Sequence, residues 1–426
     1  MVKRDKIKGS IDDWMTWYKR SVDHLINRVS LPLAKGALTA KKVAAYTGVR
    51  RCGKTSAAIL ASKNARIDFG RILYFNFEDP ITFLEKGPSV LDEIISVYTE
   101  YAGTSPEFVL FDEIQNIDGW ERWVRKAVDM ERFKLHITGS SAKMLSSELS
   151  TAISGRNIEI PVWPLSFGEF LEFSKKAPGH RDEYIAAMRT YMSWGGFPEV
   201  VLTKNIEDKK HILRQYVNDI VFKDVIGRHE IRSKHQIDQL AVYYFTNISA
   251  PHSHNSVSKA LQMNHETVAD YTEYFSDAFL FFEVKRYHHN LKVQSRDAKK
   301  IYCIDTGMRN VYSLSPFNDE LGKLAENVVY IDLRRKGKDV WYFKGDGEAD
   351  FVITRLGKPQ GVIQVCYSDL ADAGTFKREM DGLTEALKYT GLSSGTILTL
   401  SREEKIKHHK NNIELVPLYK WLLRDR

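Results

Sequence analysis

The run Gly48-Val49-Arg50-Arg51-Cys52-Gly53-Lys54-Thr55 constrains this chain more than any other, because it reads G-x-x-x-x-G-K-T between a strand-like and a helix-like segment. Two glycines allow backbone N–H groups to curl around phosphate oxygens. The Lys54 ammonium reaches the β and γ oxygens, and the Thr55 hydroxyl can ligate Mg²⁺ at a positive helix N-terminus. Gly48, Val49, Arg50, Arg51, Cys52, Gly53, Lys54, Thr55 and Ser56 are therefore the expected nucleotide-binding residues, with ATP and Mg²⁺ as the cofactors. Arg50 and Arg51 add positive charge to the loop or are simply solvated.

Around this loop, apolar strand-like runs alternate with amphipathic stretches, the order of an α/β parallel sheet with crossover helices. Strands are expected at 43–47, 71–77, 108–111 and 135–138, with helices at 54–64, 89–102 and 120–132. The run Phe108-Val109-Leu110-Phe111 leads directly into Asp112-Glu113, so an apolar strand delivers two carboxylates at its C-terminal end, as a Walker B element does. Asp112 is placed to hold Mg²⁺, and Glu113 to orient and deprotonate the attacking water.

The next strand ends in Thr138-Gly139-Ser140-Ser141. Ser140 either senses the γ-phosphate or caps a following helix. Beyond it, Ser154-Gly155-Arg156 offers an always-charged fork; Arg156 acts in cis, acts in trans as an arginine finger, or forms a surface ion pair.

At 426 residues the chain is long enough for several cores, and a formal net charge of +7 permits contact with nucleic acid without requiring it. No apolar run approaches the length of a membrane span, and residues 1–12 lack the apolar core of a secretory signal, so a cytoplasmic location without membrane contact is expected. Cys52, Cys303 and Cys366 are widely spaced and suggest neither a disulfide framework nor a zinc site. The histidines His252, His254, His265, His288 and His289 lack helical i, i+4 spacing and paired cysteines, so no zinc is expected there either.

The phosphate loop, Leu110-Phe111-Asp112-Glu113-Ile114-Gln115, Thr138-Gly139-Ser140-Ser141, Ser154-Gly155-Arg156 and Pro164-Leu165-Ser166-Phe167-Gly168-Glu169-Phe170 together resemble a prokaryotic family of AAA+-like P-loop ATPases. The likeness continues through Trp194-Gly195-Gly196-Phe197-Pro198-Glu199 and Tyr216–Val225. It implies ATP binding, a winged-helix module after the core, and a last domain similar to PD-(D/E)xK nucleases.

The expected domains are an AAA+-like ATPase core over 1–165, a helical lid over 166–231, a winged-helix-like module over 232–300 and a degenerate PD-(D/E)xK-like α/β domain over 301–426. The lid reading rests on helical periodicity, which an ordinary packing bundle also shows. The winged-helix reading rests on helix, turn, helix 265–277, and two strands joined by a basic excursion over 285–300. Asn264, His265, Thr267, Asp270 and Thr272 would face a partner from the second helix. Lys285, Arg286, His288, His289, Lys292, Arg296, Lys299 and Lys300 would meet phosphates, if the partner is DNA rather than protein.

The positions that resemble the nuclease set are Glu326, Asp350, Gln364 and Cys366. The last two stand where Glu-x-Lys is required, so a metal-ligand charge and a transition-state cation are missing and efficient cleavage is not expected. The sequence thus supports a Mg²⁺-dependent ATPase that switches C-terminal modules for DNA or protein, or a nucleotide-gated scaffold with negligible hydrolysis. A trans-acting arginine would add a homo-oligomer.

Overall fold

The computed structural model describes residues 4–28, 39–83, 87–139, 155–229, 231, 233–368, 370 and 372–424. It divides into two compact units, Met1–Trp163 and Pro164–Arg426.

The first unit is built on five strands, β1 (Val43–Thr47), β2 (Ile72–Asn76), β3 (Phe108–Asp112), β4 (Lys134–Thr138) and β5 (Asn157–Pro161). All pairs are parallel, in the order β2-β3-β4-β1-β5. Every residue of β1 and β3 is buried, as continuous apolar runs in the middle of a parallel sheet must be. Register aligns Tyr46 with Thr138 and Asn76 with Asp112, so the carboxyl ends of four strands form one polar rim. The four expected strands and three helices are present, at Lys54–Asn64, Ser89–Ala102 and Trp120–Asp129. The last helix buries Trp120, Trp123, Val124, Ala127 and Val128, the i, i+3, i+4, i+7, i+8 stripe of a one-sided helix.

Two elements go beyond the expected set. Strand β5 extends the sheet beside β1, with an alternating pattern that suits an edge. The helix Arg4–His24 buries Ile7, Ile11, Met15 and Tyr18 and packs on β2 and the helix Ser89–Ala102. Trp14, Trp17 and Tyr18 surround the Tyr74 ring at centroid distances of 5.8, 5.2 and 5.9 Å.

The second unit opens with helices Phe167–Phe173, Arg181–Trp194, Pro198–Leu202 and Ile206–Asp219, the last continuing as a π-helix over Ile220–Ile226. The Gly195-Gly196 break is a docking point for Asp305. The Asp305 carboxylate accepts from the N–H groups of Gly196 (2.7 Å), Gly307 (2.9 Å) and Met308 (3.2 Å), and a Cβ at Gly195 would lie 1.9 Å from its Oδ1.

Helices Lys234–Thr246, His254–Leu261 and His265–Asp277 follow, accompanied by β6 (Pro251–His252), β7 (Phe281–Val284) and β8 (Lys299–Cys303). These strands form an antiparallel sheet ordered β6-β8-β7. The helices Thr306–Tyr312 and Leu321–Arg335 lead to a six-stranded mixed sheet ordered β13-β14-β12-β11-β10-β9. Its strands are β9 (Asp339–Lys344), β10 (Glu348–Arg355), β11 (Lys358–Val365), β12 (Ser394–Thr399), β13 (Glu404–His408) and β14 (Asn411–Pro417), with the helix Ala373–Thr390 packed on β10 and β11. Ala349, Val352, Val362, Leu383, Leu387, Ile397 and Leu415 lie in the core between helix and sheet. Among the described residues no helix is long and apolar enough to cross a membrane.

Candidate nucleotide site

The loop between β1 and the helix Lys54–Asn64 is wound by backbone that few residues tolerate. Gly48 has φ +144° and Gly53 has φ +99°, and a Cβ on Gly48 would lie 2.1 Å from the Val162 carbonyl oxygen. Arg51, which carries a side chain, also takes a positive φ of 70°. The Cys52 thiol donates to Val162 O at 3.1 Å, and burial pushes it up from the ordinary thiol range. Arg28 braces the loop from outside the motif, donating to Cys52 O at 3.0 Å and Trp163 O at 2.8 Å. Lys54 is buried, and its ammonium donates to Gly48 O at 3.1 Å and Val49 O at 3.2 Å, so the cation lies across the concave side of the loop.

Asp112, at the end of β3, is the hub of the polar rim. The Thr55 hydroxyl lies 3.0 and 2.9 Å from its two oxygens, the Tyr74 hydroxyl donates at 3.0 Å, and Asn76 Nδ2 at 3.3 Å. The Thr138 hydroxyl donates to Asp112 and accepts from the Glu113 N–H at 3.0 Å, tying the ends of β3 and β4 together. Burial first, and the Glu113 charge second, push the Asp112 carboxyl up to about 6. A cation at this point would relieve that penalty, which is the requirement of a Mg²⁺ site fed by Thr55 and Asp112. Glu113 sits in left-handed backbone with φ 54°, and the Gln115 amide donates to its carboxylate. Thus Thr55, Asp112 and Glu113 meet at the end of β3, and Lys54 stands in the adjoining loop.

The other expected residues fall differently. Val49 is buried, Arg50 pairs with Glu78 at 3.0 Å, Arg51 is exposed, and Ser56 lies in the first turn of the helix. Ser140 lies outside the described residues. Arg156 precedes β5, where its carbonyl accepts from Val43 N–H at 3.0 Å and its guanidinium pairs with Asp129. Because β1 and β5 are parallel, with Val43 beside Asn157 and Thr47 beside Pro161, Arg156 lies at the amino end of the sheet. Roughly 16 Å of strand separates it from the loop. Of the three roles open to Arg156, the structure displays the surface ion pair. Thr138, Tyr74, Asn76 and Arg28 were not expected; Thr138 and Asn76 were legible only as polar residues closing apolar strands.

A second acidic centre lies in the other unit. Glu326, Glu348 and Asp350 converge on the buried Lys300 ammonium at 2.9, 2.8 and 3.0 Å. Tyr302 donates to Glu326 at 2.6 Å. Burial and the neighbouring Asp350 push the Glu326 carboxyl up to about 8, while the three acids hold Lys300 well above the ordinary ammonium range. Gln364 accepts from the Asp350 N–H at 3.0 Å and donates to Glu379 at 2.6 Å, so both the oxygen and the nitrogen of its amide are engaged within the protein. The Cys366 sulfur lies 3.2 Å from the Ser368 hydroxyl.

Lys300 was expected to meet phosphate and instead pairs with acids. Two further members of that basic set are also engaged: Arg286 bonds Asp297 at 2.7 Å, and Lys299 pairs with Glu283. The backbone of 285–287 bonds Tyr342 on both sides, at 3.1 and 2.7 Å, alongside β9. Lys285, His289, Lys292 and Arg296 remain exposed. Asn264, exposed, caps the helix His265–Asp277 through Glu266 N–H at 3.0 Å, whereas Thr272 is buried against Tyr244 and turned away from any partner.

A family model described as an AAA domain matches residues 40–171, and one described as Domain of unknown function (DUF8612) matches 185–320. The chain is 34% identical over 411 residues to the uncharacterized protein MJ1544 of Methanocaldococcus jannaschii, covering 91% of this chain and 89% of that protein. An uncharacterized protein of Haemophilus influenzae is 29% identical, covering 72% and 78%. Among solved structures, AMPPCP-bound DnaA from Aquifex aeolicus aligns over 61% of this chain and 86% of its own, at 14% identity and a TM-score of 0.29.

Proposed function

The chain belongs to one family with the uncharacterized protein MJ1544 and carries an AAA domain over 40–171, and from that premise we propose that it is a Mg²⁺-dependent ATPase whose nucleotide cycle acts on its C-terminal modules. One observation carries the reading: Lys54, Thr55, Asp112 and Glu113 gather on the rim of a single parallel sheet, around the end of β4. In this reading the Lys54 ammonium turns from the carbonyls of Gly48 and Val49 to the phosphates, replacing weak partners by charged ones. Thr55 and Asp112 hold Mg²⁺, which supplies charge neutralisation at the transferring phosphoryl group. Glu113 takes the proton of the attacking water, while Thr138 ties the Asp112 carboxylate to the Glu113 backbone N–H.

The helix, strand, two helices and two strands of 234–303, the last two strands joined through the short helix Leu291–Arg296, support the winged-helix reading, with the helix His265–Asp277 presenting exposed Glu266, Asp270 and Glu273. Acidic side chains at that position favour a protein partner over DNA, since phosphates would be repelled. The last domain is read as a nuclease-like scaffold that does not cleave, because the Lys300 ammonium stands among the carboxylates that would ligate metal.

The test is Mg²⁺-dependent ATP turnover by the intact chain and by Glu113→Gln, with and without single- and double-stranded DNA. Turnover lost in the variant supports the ATPase; tight ATP binding without turnover in either chain replaces it with a nucleotide-gated scaffold. Stimulation by DNA would overturn the preference for a protein partner.

A further inference from the structure

His252 on β6, His254 at the start of the helix His254–Leu261 and Glu283 on β7 are far apart in sequence, yet their ligand atoms all lie within 4.8 Å of one another. The Nε2 atoms of His252 and His254 are 3.1 and 3.0 Å from the same carboxylate oxygen, Glu283 Oε1. The sheet order β6-β8-β7 explains the convergence. His252 is the register partner of Lys299 on β8, and Glu283 is the partner of Ile301 two residues further on, so both project from one face of the sheet.

We propose that His252, His254 and Glu283 form a three-ligand site for a divalent first-row transition metal ion of the Zn²⁺ or Co²⁺ kind. Two imidazoles and one carboxylate are the donor set that such ions prefer over Mg²⁺ or Ca²⁺. Bonds of about 2.0–2.2 Å place neighbouring ligand atoms roughly 3–3.4 Å apart, so the observed imidazole-to-carboxylate spacing accepts an ion with small side-chain adjustment. The two Glu283 oxygens have divided tasks: Oε1 faces the imidazoles, and Oε2 takes the Lys299 ammonium. That outer contact is how a monodentate carboxylate ligand is held in orientation. His252 is buried, and among the described residues its Nδ1 has no hydrogen-bond partner, so its Nε2 contact with Glu283 is the polar contact that aims the ring. His254 and Glu283 are partly exposed, which leaves an entry path and room for water on the open side. The ion would pin the first turn of the helix His254–Leu261 to the sheet behind it.

The experiment is titration of the untagged, metal-stripped full chain with Co²⁺, followed by visible d–d absorption and displacement by Zn²⁺. His254→Ala and Glu283→Gln are measured in parallel, with far-UV circular dichroism as the control for folding. We expect one equivalent of Co²⁺ with the intense absorption of a low-symmetry N/O site, displaced by Zn²⁺, and affinity at least about 100-fold weaker in each folded variant. Because His254 is at a helix start and Glu283→Gln is nearly isosteric, at least one variant should retain the fold. No binding by the parent chain, or binding that both variants leave unchanged, would overturn the site.

Discussion

Replacing Lys300 with Met should expose the charge imbalance of the second unit. The ammonium lies 2.8–3.0 Å from three carboxylates and is nearly inaccessible to water. Removing one partner from a buried ion cluster costs about 3–5 kcal/mol, because the charges left behind remain desolvated. For a unit of this size that corresponds to a fall of roughly 6–20 °C in its melting temperature at pH 8. The loss should depend on pH. In the parent chain folded Glu326 holds its proton up to about 8, whereas the unfolded carboxyl releases it near 4.5, so the folded state binds more protons between these values. Stability from this group is therefore fully present below about pH 4.5 and is lost as pH rises towards 8, by up to about 4–5 kcal/mol in all. Without Lys300 the Glu326 carboxyl rises further and Glu348 loses the cation that holds it below the usual carboxylate range, so at pH 5 the penalty of the substitution should shrink to about half or less. Calorimetry at both pH values, with hydrogen exchange of β8 and β10 amides to locate the effect, measures this. Glu326→Gln should flatten the pH slope of the parent. An equal loss at pH 5 and pH 8, or a loss below about 1 kcal/mol at pH 8, would refute the reasoning.

Glu113→Gln should lower kcat for ATP by about 100-fold or more while leaving nucleotide affinity nearly intact, checked by phosphate release beside equilibrium titration. With the Asp112 carboxyl pushed up to about 6, the nucleotide-free site gains a proton as pH falls through that value. Mg²⁺-supported ATP binding should therefore weaken between pH 7.5 and 5.5, and Asp112→Asn should remove that dependence, as isothermal titration would report. Gly48→Ala must move either the loop or Val162, since its Cβ would fall 2.1 Å from a carbonyl oxygen. It should cost about 1–3 kcal/mol and abolish binding of a fluorescent ATP analogue.

The nucleotide site was legible because its chemistry is written in consecutive residues. The phosphate loop and the apolar strand ending in Asp112-Glu113 declare strand, turn and helix locally, and the expected strands follow within one or two residues. The rest depended on distance in space. The contact of Thr138 with Asp112 follows from the β3-β4 pairing and from no local spacing. The separation of Arg156 from the phosphate loop of its own chain comes from the parallel pairing of β5 with β1, which local sequence does not encode. The helix Arg4–His24 was hidden by its composition, a narrow apolar stripe among charges, and its partners lie on β2 and beyond. Lys300 looked like one member of a basic run; burial among acids from other elements cannot be read from its neighbours in sequence. His252, His254 and Glu283 likewise follow no spacing rule, because three strands and a helix start bring them together.

The position of Lys300 bears on how the protein can be taken apart. A cut after residue 300, natural from the end of the basic run, would give a C-terminal fragment that keeps Glu326, Glu348 and Asp350 but leaves their cation on the other piece. It would also split β8, whose Tyr302 bonds Glu326 and whose Cys303 carbonyl accepts from Asn327. Failure of such a fragment to fold would report a severed ion cluster, not an intrinsically unstable sheet, and dissection of this chain should keep β8 with the carboxylates it serves.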